Sequence, residues 1–129
     1  MRTLCLIKGR AIRGQYSGNN FNTMTSHCIQ IMVTINNRQQ AEELIKALLQ
    51  DRLIACGQCL PKMSSYYRWQ GEMSRDDEYL ILLKTQKHHY QAAEQLIKEQ
   101  HPYEVPEIIA MDIVNGNQDY LTWIKDETR

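Results

Sequence analysis

The sequence lacks any long hydrophobic run. No stretch of its 129 residues approaches the roughly 20 consecutive apolar residues of a membrane-spanning helix, so we predict no membrane span. The apolar run at residues 4–7 is shorter than the signal-peptide core of about 7–15 residues, and no small-residue cleavage site follows it. We therefore expect a cytoplasmic protein.

An excess of charge of one sign is also missing. The chain has 15 basic and 15 acidic residues and a formal net charge of zero, whereas nucleic-acid-binding domains usually carry a basic excess. There is no Gly-rich phosphate loop and no Gly-x-Ser-x-Gly motif. We therefore expect no nucleic-acid partner and no enzymatic activity, because no nucleophile with an activating base can be identified.

Cysteine is scarce, and its spacing indicates no redox or zinc site. There are four cysteines, of which Cys56 and Cys59 form a Cys-x-x-Cys pair. The pair lies in a strand-like stretch, where residues three apart point to opposite faces, and no second pair completes a zinc site. A chain of this size can fold without disulfides. We interpret the cysteines as buried residues in a reducing compartment.

Charge and composition divide the chain into two parts. Residues 1–23 contain four basic residues, no acid and a cluster of Gly and Asn, which predicts a disordered N-terminal extension. Residues 24–129 hold the other 11 basic residues and all 15 acidic residues, a net charge of −4. This length and composition predict a single domain over residues 24–129.

Hydrophobic periodicity predicts strands at residues 27–35, 53–60, 64–69, 79–85 and 107–114. Helices are predicted after Asn37, over residues 88–100 and after Asn117. Since Pro61 interrupts one extended stretch, the order is βαββαβ plus a terminal helix, a ferredoxin-like α+β fold. The apolar last strand indicates burial on both faces. The long hairpin around Gln70 and Gly71 has an edge that must be paired, which indicates oligomerisation.

Two prolines form a rigid elbow between the second helix and the last strand. Pro102 and Pro106 cannot both occupy a regular helix or a central strand. The elbow carries His101, Glu104 and Glu107, and an imidazole near carboxylates suits copper or another divalent ion. The alternative interpretation, a histidine hydrogen-bonded as a helix C-cap, stays open at this point.

Aromatic residues concentrate in the segment Tyr66-Tyr67-Arg68-Trp69, with Tyr103 and Trp123 elsewhere. Tyrosine, tryptophan and arginine are favoured at interface hot spots, although ordinary core packing is the alternative. On a strand, Tyr67 and Trp69 share one face while Tyr66 and Arg68 share the other. One of these faces must be covered by something outside the hairpin.

Taken together, these segments resemble the CutA family of divalent-cation tolerance proteins. They occur in family order over about residues 28–126. The matching segments are Leu53-Ile54-Ala55-Cys56, Pro61, Ser65-Tyr66-Tyr67-Arg68-Trp69-Gln70-Gly71, Leu83-Lys84-Thr85, the elbow from His101 to Ile108, and Gly116-Asn117 with Asp119-Tyr120-Leu121 and Trp123.

The resemblance implies a ferredoxin-like subunit in a tight homotrimer, similar to the PII-type signalling proteins. It also implies tolerance toward copper and other divalent ions, with copper ligands at a cysteine of the first strand and a His-His pair before the elbow. Those positions hold Val33, Gln100 and His101 in this sequence. Of the implied ligands only His101 remains, and it is the predicted metal ligand.

Two functions are therefore expected. The first is a trimeric protein of the response to metal ions that binds copper or another divalent cation weakly at His101. The second is a non-enzymatic signalling or scaffold trimer that binds a small ligand or partner in clefts between subunits. The predicted interface and cleft residues are Tyr67, Trp69, Lys84, Tyr103, Glu104, Glu107 and Trp123.

Overall fold

Five antiparallel strands organise residues 27–129, the part of the chain that this computed structural model describes. The predicted extension, residues 1–23, lies outside the described residues. The strands are β1 (Cys28–Ile35), β2 (Cys56–Cys59), β3 (Met63–Trp69), β4 (Glu72–Gln86) and β5 (Ile108–Asp112). The helices are α1 (Arg38–Gln50), α2 (Tyr90–Gln100) and α3 (Gln118–Glu127), and a 3-10 turn, Lys87–His89, precedes α2.

The strand order confirms the predicted ferredoxin-like arrangement. β2, β4, β1 and β5 are neighbours in that order, and β3 pairs with the first half of β4. The second half of β4 pairs with β1, from Tyr79 opposite Ile35 to Gln86 opposite Cys28. The long strand β4 therefore connects the sheet core to the hairpin.

Helices α1 and α2 cover one face of this sheet. Asn37 caps α1 as predicted, because its side-chain oxygen accepts from the Gln40 backbone N–H at 2.8 Å. Alternate residues of β1 and β4 point toward these helices. The resulting core consists mainly of Ile29, Ile31, Val33, Ile35, Ala41, Leu44, Leu48, Ile81, Leu83, Ala93 and Ile97.

The opposite face of the sheet is only partly covered. Helix α3 packs on one end of it, where Leu121 and Ile124 contact Cys28 and Ala55. The side chains beyond α3 are half-buried or exposed. We call this surface the open face, and it consists of Gln30, Met32, Gln58, Leu80, Leu82, Lys84, Ile109 and Met111.

The expectation that the last strand is buried on both faces is wrong for the single chain. β5 is an edge strand next to β1, and Ile109 and Met111 are 44% and 54% exposed. An apolar run gives no information on whether the covering surface belongs to the same chain. The exposed apolar residues of β5 therefore leave a surface that residues 27–129 do not cover.

The hairpin extends much further along the chain than the sequence predicts. β4 has 15 residues, about 50 Å of strand, whereas the hydrophobic pattern begins only at Tyr79. Residues 72–78 are mostly polar and charged, with low intrinsic strand preference. Pairing with β3, from Trp69 opposite Glu72 to Met63 opposite Glu78, holds them in the sheet.

Strand β2 is shorter than predicted because a helix-ending turn occupies its expected start. The backbone N–H groups of Arg52 and Leu53 donate to the carbonyls of Leu49 and Leu48, both at 3.0 Å. This is a Schellman motif, with Arg52 at a left-handed φ of 58°. The predicted strand at residues 53–60 is therefore reduced to Cys56–Cys59.

Candidate functional site at the proline elbow

His101 fixes the elbow to the first strand. It is the C-cap of α2, and its backbone N–H donates to the carbonyl of Ile97 at 2.9 Å. Its Nε2 lies 2.7 Å from the carbonyl oxygen of Thr34, and its Nδ1 accepts from the Tyr103 backbone N–H at 3.0 Å. A carbonyl can only accept, so Nε2 carries the proton and the imidazole is neutral.

Tyr103 joins the elbow to the base of the hairpin. Its phenol donates to Oε2 of Glu78 at 2.6 Å, and its ring packs edge-on to His101, with the ring centroids 4.6 Å apart. Glu78 is only 8% exposed. Burial and the hydrogen bond to Glu78 raise the pKa of Tyr103 well above its ordinary value. The contact therefore stabilises the protonated phenol.

A second tyrosine–carboxylate pair lies beside the first. The Tyr67 phenol donates to Asp76, and this hydrogen bond raises the pKa of Tyr67. Negative charge at Asp76 also contributes to raising the pKa of Tyr103. The two pairs therefore interact electrostatically. On the other side of the elbow, Thr34 donates to Oε1 of Glu107 at 3.5 Å.

The structure brings together only part of the predicted site. Tyr67 and Tyr103 interact electrostatically at the hairpin base. His101 and Glu107 both contact Thr34. Glu104 is exposed and has no hydrogen bond or ion pair among the described residues.

Three other predicted residues lie elsewhere. Lys84 is six residues beyond Glu78 on β4, about 20 Å along the strand. Trp69 lies at the hairpin tip and is 59% exposed. Trp123 packs beside Tyr120 on α3. Within one chain, the seven predicted interface and cleft residues do not line a common cleft.

Sequence reasoning missed the acceptor groups of this site. Glu78 and Asp76 belong to the polar stretch before the hydrophobic part of β4, and Thr34 contributes a backbone carbonyl. Their proximity to the elbow depends on the register of β4 against β1 and β3, which no local pattern specifies. Strong polarity immediately before an apolar strand was the only signal available.

The donor set at the elbow does not fit a metal ion in this conformation. Both ring nitrogens of His101 are hydrogen-bonded, one as donor and one as acceptor, so no lone pair faces an open position. Within residues 27–129, no three side chains of the types His, Cys, Asp or Glu are arranged to hold a metal. The predicted ligand His101 needs a rearranged ring before it can coordinate copper.

The cysteine and histidine pairs lie away from the elbow. Cys28 and Cys59 are free, and burial raises the pKa of both thiols, which opposes nucleophilic reactivity. The rings of His88 and His89 are 4.2 Å apart, and Nε2 of His89 is hydrogen-bonded to the carbonyl of Thr128. This contact ties the turn before α2 to the end of α3.

The fold and these contacts define a ferredoxin-like α+β chain with a long hairpin and a sheet face that residues 27–129 leave partly uncovered. The chain belongs to the CutA1 family: the sequence model of the "CutA1 divalent ion tolerance protein" matches residues 29–127. The divalent-cation tolerance protein CutA of Thermus thermophilus is 41% identical over 98 residues, which cover 76% of this chain and 95% of the relative. These matches confirm the resemblance found in the sequence.

Solved structures agree with this assignment. The divalent cation tolerance protein of Thermus thermophilus aligns with a TM-score of 0.77 and 39% identity, covering 79% of this chain and 99% of the other. CutA from Xylella fastidiosa aligns with a TM-score of 0.78 and 38% identity, covering 81% and 100%.

The expectation of a cytoplasmic protein is contradicted. A relative from Arabidopsis thaliana is named chloroplastic; it is 35% identical over 101 residues, 78% of this chain and 56% of that relative. An Archaeoglobus fulgidus structure is described as periplasmic, with a TM-score of 0.77, 26% identity and coverage of 79% and 99%.

The expectation of reduced cysteines is also wrong at Cys56, which is disulfide-bonded. Among the described helices, none is long and apolar enough to cross a bilayer.

Proposed function

We propose that this chain acts in the response to divalent metal ions as a non-enzymatic homotrimer. The observation that carries the proposal is the match of residues 29–127 to a family described by divalent ion tolerance. The proposal extends this family property to the chain itself. It assigns the chemistry to binding, since the polar groups that converge at the elbow are hydrogen-bonded to one another.

The surfaces that residues 27–129 leave uncovered support assembly into a trimer. The open face includes half-buried Leu80 and Leu82 beside exposed Ile109 and Met111. At the hairpin, Tyr66, Trp69 and Met73 are 67%, 59% and 77% exposed. Exposed apolar surface such as that of the open face is typical of interfaces, and an open β5 edge can pair with another strand. Three copies that cover one another's open faces would bury both surfaces.

We also propose, more specifically, that His101 binds copper or another divalent ion weakly. It requires the ring to give up the hydrogen bond with Thr34 or with Tyr103. Each such bond contributes about 0.5–1.5 kcal/mol, so coordination is coupled to opening of the elbow. Glu104 and Glu107 follow on the same segment and supply oxygen ligands once the ring has turned.

Calorimetric titration with copper tests this binding. We expect wild type to bind Cu(II) weakly and the variant His101→Gln to lose the heat of binding, because glutamine can keep the hydrogen bond to Thr34 without supplying an imidazole. His88→Ala serves as the matched control, since it removes an imidazole far from the elbow. Identical isotherms for wild type and His101→Gln would exclude His101 as a ligand.

The second candidate function is a signalling or scaffold trimer with a ligand between subunits. The paired phenols and carboxylates at the hairpin base favour it, because polar groups converge there beside exposed aromatic side chains. Its predicted lining residues lie far apart in one chain, and neighbouring copies would have to bring them together. Thermal-shift measurements against nucleotides and small metabolites test this function. Stabilisation by none of them would count against it.

A further inference from the structure

A half-buried ammonium group on the open face has no carboxylate partner within the described part of the chain. Lys84 lies on β4, directly opposite Gln30 of β1 and Cys56 of β2. Burial lowers the pKa of Lys84. Within residues 27–129, every ion pair joins other residues. A cation that is partly removed from water without a counter-charge favours the binding of an anion.

One amide side chain contacts this ammonium group, and a second amide residue lies opposite it on the neighbouring strand. Nζ of Lys84 donates to Oε1 of Gln58, which leaves the NH2 group of the same amide able to donate elsewhere. Gln30 provides a second amide on the same face. An ammonium group with neighbouring amide N–H groups suits the oxygens of a carboxylate or phosphate, and hydrogen bonds from a charged donor are the stronger kind.

We propose that Lys84, with Gln58 and Gln30, binds a small oxyanion, a carboxylate or a phosphate, on the open face. This inference rests on the second function proposed above, a ligand held between subunits, and it names the chemical class of that ligand. Neighbouring copies over the open face would enclose the bound anion. The same donor set disfavours a metal cation, so this site is distinct from the elbow.

Titration with anions tests the site. Sodium phosphate and sodium succinate are titrated into wild-type protein at constant ionic strength, with sodium chloride as the reference, while calorimetry and the amide NMR signals near Lys84 are recorded. We expect saturable binding of at least one anion, and the anion that binds identifies the class. Lys84→Met should weaken binding about tenfold or more, since it removes a charge-assisted hydrogen bond.

Two further variants make the test specific. Lys84→Arg should retain binding because the charge remains, and Lys46→Met, which removes an exposed lysine of α1, should bind as wild type does. The absence of saturable binding to wild type, or equal binding to wild type and Lys84→Met, would overturn the proposal.

Sedimentation of the same samples separates this site from the trimer. If Lys84→Met alone dissociates the assembly in the absence of added anion, the partner of Lys84 is a carboxylate of another copy, and the oxyanion proposal fails. A wild-type protein that sediments as a monomer contradicts the trimer instead, while anion binding by that monomer would still support the site.

Discussion

The phenol of Tyr103 donates a 2.6 Å hydrogen bond to the carboxylate of Glu78 and thereby joins the proline elbow to the base of the long hairpin. The two residues are 25 positions apart in the chain. Glu78 is buried with this phenol as its hydrogen-bond donor among the described side chains. The elbow, β1 and the hairpin are therefore mechanically connected through Tyr103, His101 and Thr34.

Alkaline titration should detect this contact. The folded pKa of Tyr103 is raised above its ordinary value of 10.0, so its contribution to stability is complete below about pH 10 and is lost as the pH rises further. We expect one tyrosine to ionise later than the others in the phenolate absorbance, and Tyr103→Phe to remove that late step.

Tyr103→Phe should also destabilise the fold by about 1–3 kcal/mol near neutral pH, because it leaves the buried carboxylate of Glu78 without its donor. Urea unfolding measures this difference. Tyr79→Phe is the control, since the hydroxyl of Tyr79 makes no hydrogen bond within residues 27–129 and the ring still packs against the core. It should change the free energy of unfolding by less than about 0.5 kcal/mol. Equal effects of the two variants would argue against the Tyr103–Glu78 bond.

His101 should prove structural in stability measurements. His101→Ala removes both ring hydrogen bonds, and each contributes about 0.5–1.5 kcal/mol. His101→Asn can keep the acceptor for the Tyr103 N–H, and His101→Gln can keep the donor to Thr34, so each should lose less stability than alanine. Chemical denaturation of the three variants measures this order. If the alanine variant were at least as stable as both amide variants, the result would contradict it.

Trp69 should contribute to the interface between copies. It is 59% exposed in the single chain, and truncation of a tryptophan that is fully buried in an assembly costs about 3–5 kcal/mol. Sedimentation of Trp69→Ala at several concentrations should therefore show dissociation that wild type does not show. Leu49→Ala is the control, because Leu49 is exposed on α1, away from the open face. If Trp69→Ala sedimented as wild type does, Trp69 would lie at the periphery of the interface.

The absence of a side chain at Gly57 should be required for α1 to pack on β2. A Cβ at Gly57 would lie 2.6 Å from Cγ2 of Ile45. Gly57→Ala should therefore destabilise the protein by about 1–3 kcal/mol. Ile45→Ala removes the clashing atom, so the double variant should be more stable than the sum of the single effects predicts. Strictly additive effects would contradict this contact.

Local sequence patterns predicted most of the fold but little of the candidate site. The apolar stripe of α1 and the caps at Asn37 and Asn117 are encoded within a few residues, and the structure contains them. The first half of β4 was missed because its residues are polar and are held by pairing with β3. The exposure of β5 was missed because an apolar run does not reveal which chain covers it.

The chemistry of the elbow depended on contacts between distant positions. The position of His101 before Pro102 was compatible with either a metal ligand or a C-cap, and only the partners of both ring nitrogens distinguish these states. Glu78 and Thr34 reach the elbow through strand register. A single sequence does not specify that register. It therefore predicted the shape of the elbow but not the hydrogen-bond acceptors that contact it.

Growth under copper challenge tests the central claim most directly. In the organism of origin, the gene is deleted and replaced by wild type or by Trp69→Ala, the variant that we expect to weaken assembly. We expect deletion to lower copper tolerance, wild type to restore it, and Trp69→Ala to restore it poorly at equal protein level. A deletion strain as tolerant as its parent toward copper and other divalent cations would contradict the proposed role.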